Sequence, residues 1–94
     1  MVQAEVEWAE EALAHLETIR RYIAYSYRRA ADRMASCLWT AGESLAFFPN
    51  RRRPCANGTR ELPSIPPYIM TYEVIGGRVL ILRIRHGRRL SLED

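Results

Sequence analysis

The stretch Gly58–Arg89, GTRELPSIPPYIMTYEVIGGRVLILRIRHGRR, decides how this chain is read. Two apolar runs, Tyr68–Ile75 and Arg78–Arg85, flank Gly76-Gly77. A two-residue hairpin turn needs positive φ at both central positions, which glycine adopts without steric cost, so the pair predicts a β-hairpin. A loop of that length sets the register. Val74 should face Val79, Tyr72 Ile81, Met70 Arg83, and Tyr68 Arg85. Side chains alternate along a strand, so these pairs share one face. That face is expected to be apolar near the turn and aromatic and basic at its far end. A further strand is expected at about Thr59–Leu62, after the polar loop NRRRPCANG at 50–58.

Toward the N-terminus the period changes. Val2, Ala4 and Val6 alternate with Gln3, Glu5 and Glu7, as in a short half-buried strand. After Trp8, the residues Ala9, Ala12, Leu13, Leu16, Ile19 and Ile23 mark one helical face, expected to end near Tyr25–Tyr27. Met34, Leu38, Ala41, Leu45 and Phe48 mark a second, from about Ala30 to Phe48-Pro49-Asn50, where proline disfavours helix before it. One unbroken helix would be about 60 Å long, too long for a small domain, so a turn is expected near Ser26–Ala30. The fold class is therefore α+β: an N-terminal strand, an αα-hairpin, then a three-stranded antiparallel sheet, with the helices on one side.

With 94 residues, 48% of them apolar, the chain is expected to form a single domain with its own core, spanning residues 1–94. No apolar run reaches the length of a membrane span and the N-terminus has no signal-peptide core, so the expected compartment is the cytoplasm. Cys37 and Cys55 fit no zinc spacing. A reducing compartment suits so few cysteines, and a 37–55 bridge stays open. Charge is unevenly placed. Residues 1–50 hold seven acids against five arginines, and residues 51–94 nine arginines against four acids. Every basic residue besides the histidines is arginine. Genome composition accounts for part of that, but guanidinium groups also suit bidentate contacts to phosphate or carboxylate and stack on aromatics. The second half thus implies an acidic partner, protein or nucleic acid.

Several chemistries are excluded. There is no dinucleotide or phosphate-loop glycine motif, and the scattered histidines and cysteines form no metal site. His15, between Ala14 and Leu16, reads as a helix-surface residue. No carboxylate pair stands near His86 to complete a triad. The candidate face is Arg60, Tyr68, Tyr72, Arg83, Arg85, His86, Arg88 and Arg89. Cleavage of RNA by its 2′-hydroxyl needs a base for the proton and cations for the charged phosphorane, roles open to His86 and the arginines. A plainer reading stands beside it: tyrosines and arginines at a sheet end stack and solvate well. Arg51-Arg52-Arg53 likewise reads as a solvated loop.

The order of elements, with GTRELP, PYIMTYEV and GGRVLILRIRHGRR in succession, resembles the ParE branch of the RelE/ParE toxin superfamily. The helical half agrees in Trp8-Ala9-Glu10, Ile19-Arg20-Arg21-Tyr22-Ile23-Ala24 and Leu45-Ala46-Phe47-Phe48-Pro49. The resemblance spans residues 3–89. It implies the toxin of a type II toxin–antitoxin pair, a plasmid-stabilisation protein with no cofactor.

RelE-like members are ribosome-dependent mRNA endonucleases, with basic residues on the sheet and often a C-terminal tyrosine. Arg60 and Arg89 fall at basic positions of that pattern, and His86 resembles a histidine that some of them use. Where the nucleases typically have arginine after the strand aromatic, this chain has Ile69. It ends Leu90-Ser91-Leu92-Glu93-Asp94, without the tyrosine. The resemblance therefore favours the ParE branch, whose members are associated with inhibition of DNA gyrase and are neutralised by a cognate ParD-like antitoxin. It assigns no catalytic residue in that branch, with Arg60, His86 and Arg89 the set if the chain is a nuclease. It leaves direct nucleic-acid binding open.

Overall fold

The computed structural model describes residues 4–49, 58–65 and 67–86. Strand β1, Glu5–Trp8, leads into helices α1, Glu10–Ala24, and α2, Arg28–Glu43; a short 3-10 turn, Ser44–Ala46, follows. Strands β2, Arg60–Ile65, β3, Tyr68–Ile75, and β4, Arg78–His86, complete an α+β fold. The four strands form one sheet in the order β1-β4-β3-β2. The N-terminal strand extends the expected three-stranded sheet by pairing parallel with β4, Val6 beside Val79 and Trp8 beside Ile81. The helical hairpin supplies the crossover that a parallel pair requires.

Local sequence accounts for most boundaries. Glu10 and Glu11 open α1 where the helix dipole favours negative charge, and Arg21 stands in its last turn. The break falls at Tyr25–Tyr27, slightly before the expected turn. α2 opens on Arg28 and Arg29, with no acid in its first turn and no side-chain cap from Tyr27. It ends sooner than its apolar repeat suggested: the 3-10 turn takes over at Ser44, whose Oγ donates to the Ala41 carbonyl at 2.6 Å. Leu38 and Leu45 are buried as expected, whereas Phe48, beyond the helix, is exposed; so is Leu13 on α1. Gly76 and Gly77 both take positive φ, as the hairpin turn demands.

The register corrects the sequence reading at one point. Val74 faces Val79 and Tyr72 faces Ile81 as expected, but Thr71 then faces Arg83, Met70 faces Ile84, and Tyr68 faces His86. Leu82 is an extra residue on β4, a β-bulge. Ile81 and Ile84 are consequently both buried, although regular alternation would put them on opposite faces. Energetics favour the slip. Without it Arg83 would enter the core unpaired, at a cost of several kcal/mol. With it Ile84 is buried, a gain of about 1.5–3 kcal/mol against roughly one weakened backbone hydrogen bond.

The core lies between helices and sheet: Ala12, Leu38, Leu45, Leu62, Met70, Tyr72, Val79, Ile81 and Ile84. One corner depends on a missing methyl group. Trp8 stacks on Trp39, with centroids 4.6 Å apart and rings 6° from parallel, and its Nε1 donates to Glu43 at 2.9 Å. A Cβ on Gly42 would lie 2.5 Å from the Trp8 ring and 2.8 Å from Ile81, so only glycine permits this approach. Cys37 is an exposed free thiol; Cys55, and with it the question of a 37–55 bridge, lies outside the described residues. Among the described residues no helix is long and apolar enough to cross a membrane.

Candidate functional site

β1 ends at the level of Ile81, so beyond that point β4 has no strand on its β1 side among the described residues. α1 passes there instead, leaving an open cleft of about 690 Å³ between helix and strand end. Glu11, His15, Ile19 and Tyr22 line it from α1; Tyr68 and Arg83–His86 line it from the sheet. His15, expected on the helix surface, has a structural task. Its Nδ1 accepts the backbone N–H of Ile84 at 3.1 Å, capping a strand edge with no neighbouring strand among the described residues. Its Nε2 lies 3.8 Å from Glu11. A proton on Nδ1 would remove that acceptor.

The sheet side is built by the bulge. Tyr68 and His86 face one another and meet edge to face, centroids 5.7 Å apart at 82°. Burial pushes the Tyr68 hydroxyl pKa up, and neighbouring Tyr22 adds to the rise. After the slip, Arg83 and Arg85 no longer share the face of Tyr68 and Tyr72, the placement that regular pairing gave them. Arg85 instead forms an ion pair with Glu61 of β2, reaching over β3, while its buried Nε has no hydrogen-bond partner among the described residues. Ile69, directly opposite Arg85, puts a half-buried apolar side chain beside it.

The expected face is therefore only partly assembled. Tyr68, Arg83, Arg85 and His86 come together at the cleft. Tyr72 does not belong to it: the ring is fully buried, and its hydroxyl donates to the Pro49 carbonyl at 3.1 Å. Arg60 pairs with Tyr72 across β2–β3, at the far end of the strand row from Tyr68 and His86. Arg88, Arg89 and Arg51-Arg52-Arg53 lie outside the described residues. Missed from sequence were Glu11, His15 and Tyr22. Their spacing of four and seven residues along α1 puts them on one helical stripe, and that was the available signal. Among the described residues no cluster of histidine, cysteine or carboxylate side chains could hold a metal ion.

A helical hairpin over a mixed four-stranded sheet has close counterparts among solved toxin–antitoxin structures. The chromosomal ParDE system from P. aeruginosa matches with a TM-score of 0.81 at 22% identity, over 89% of this chain and 96% of that one. The toxin–antitoxin complex RelBE2 from Mycobacterium tuberculosis matches with a TM-score of 0.70 at 20% identity, over 90% and 99%. At those identities the likeness is one of fold. Sequence goes further. Toxin RelE2 of Caulobacter vibrioides is 48% identical over 87 residues, 93% of this chain and 99% of that protein. The family described as the ParE toxin of the type II toxin–antitoxin system parDE matches residues 6–91, and the chain belongs to it.

Proposed function

We propose that this chain arrests growth by binding a protein target, with DNA gyrase the candidate, and that a cognate ParD-like antitoxin neutralises it in the cytoplasm. The observation that carries this reading is the position of Met70. A nuclease built on Arg60 and His86 needs both at one phosphate. Their strand positions differ by four residues and two strand spacings, about 13 Å along the strands and about 10 Å across them. Met70 stands on the diagonal between them, facing the helices and fully buried. A phosphate touching both side chains would have to occupy the core. Ile69 and the Glu61-paired Arg85 support the same reading, since both lower the free positive charge of the outer sheet face.

A second reading, a ribosome-dependent mRNA endonuclease, draws on one specific finding: the relative at 48% identity is named a RelE toxin. The two separate in one experiment. Purified toxin is added to gyrase in supercoiling and DNA-cleavage assays, and in parallel to translating ribosomes with labelled mRNA. Blocked supercoiling or trapped cleaved DNA with intact mRNA is expected. Cleaved mRNA beside unaffected gyrase would replace the protein-binding reading with the nuclease one.

The antitoxin fits by the same physics. An acidic amphipathic segment can bury apolar surface on the toxin while matching its arginines. The complex should therefore survive moderate salt, unlike pure phosphate binding. Dissociation near physiological salt, followed by size-exclusion chromatography, would count against this mode.

A further inference from the structure

A second basic and aromatic surface lies at the tip of the helical hairpin, meeting the cleft only at Tyr22. No acid occurs from Thr18 to Ala31, while Arg20, Arg21, Arg28 and Arg29 do. Arg20 and Arg21 are held by Glu17, at 2.7 and 3.1 Å. Arg28, Arg29 and Arg33 are exposed and form no ion pair among the described residues. Three tyrosine rings stand with them, Tyr22, Tyr25 and Tyr27, 78%, 94% and 72% exposed. Tyr27 and the three arginines share a shallow hollow of about 480 Å³ with Ser26 and Ala30.

Beyond the pairs of Arg20 and Arg21 with Glu17, and of Arg20 with Asp32, little of this serves the free fold. Arg29 and Arg33 repel one another one turn apart, and the rings make little contact with the core. Such an arrangement is consistent with a partner that supplies both negative charge and flat surfaces to stack on. An acidic helix would need a groove for its apolar face, and the hollow has no large aliphatic side chain to receive one. Duplex DNA hides its base faces. Unpaired nucleotides offer phosphates at close intervals and free rings beside them.

We propose that the hairpin tip binds single-stranded nucleic acid, with Arg28, Arg29 and Arg33 on phosphates and Tyr25 and Tyr27 stacked on bases. The contact is independent of which target the toxin attacks, because its test needs neither gyrase nor ribosomes. Fluorescence anisotropy of a labelled oligothymidylate of about a dozen nucleotides is followed against the purified chain at several salt concentrations. Three phosphate contacts give a slope near −2 in log affinity against log salt, by the roughly 0.7 per contact of single strands. Arg28→Ala/Arg29→Ala/Arg33→Ala should weaken binding at least tenfold and flatten the slope. Tyr25→Ala/Tyr27→Ala should weaken it about thirtyfold or more at unchanged slope. Both sets lie at the surface, and circular dichroism verifies the fold; either set alone tests the site. Unchanged affinity in either variant set would overturn the proposal. So would equal binding of a duplex, or displacement of the oligonucleotide by an oligoglutamate peptide at matched charge.

Discussion

At Gly42 a single hydrogen in place of a methyl group sets the packing of β1 on α2. Gly42→Ala would drive Trp8 off Trp39 or push on Ile81, since a Cβ there comes within 2.8 Å of both side chains. The expected cost is about 1–3 kcal/mol, as for other overpacked cores, read from urea denaturation followed by tryptophan fluorescence. Tyr68 carries a prediction in pH. Its raised pKa means that the unfolded chain gives up this proton first as pH climbs. Its contribution is complete below about pH 10, the ordinary tyrosine value, and is lost as pH rises from there through the folded value. Tyr68→Phe should therefore flatten the alkaline limb of a stability–pH profile; an unchanged limb would assign that limb to other tyrosines.

At the scale of elements, α2 begins against its own dipole. Arg29→Glu would place a negative charge in the first turn and turn the repulsion of Arg33 into an attraction one turn on. A gain of about 1 kcal/mol is expected, a rise in Tm of about 4–8 °C for a domain of this size. A fall in Tm would show that the arginine makes a contact of its own. The edge of β4 beyond Ile81, unpaired among the described residues, is the complementary case. His15→Ala leaves the Ile84 amide without its acceptor, at a cost of about 1 kcal/mol. Hydrogen exchange at Ile84 should accelerate more than at Met70, which lies inside the sheet.

For the molecule as a whole, the bulge at Leu82 determines which cations meet the cleft. Arg83 lines it and forms no ion pair among the described residues, whereas Arg85 is committed to Glu61. Arg83→Ala should relieve growth inhibition on expression in a sensitive host while circular dichroism and Tm stay near those of the parent. Full toxicity in that variant would move the functional surface elsewhere, with the hairpin tip the next to examine. Gyrase and translation assays on the same variant would show which activity is lost with growth arrest.

Periodicity and turn chemistry, both local, already determine much of this protein. Gly76-Gly77 sets the hairpin, the changes of period set strand, helix and helix, and the motifs from Gly58 to Arg89 resemble the ParE family before any coordinate is known. Tertiary structure decided what depends on competition between distant groups. Whether Arg83 or Ile84 faces the helices turns on the cost of an unpaired guanidinium in a core that the hairpin alone does not form. Tyr72 looks like a binding residue in sequence because exposed and buried strand tyrosines share one pattern; only the covering helices bury it. His15 looked like surface because its partner is a backbone amide 69 residues away. No side-chain pattern announces such a bond, since every residue but proline carries that donor.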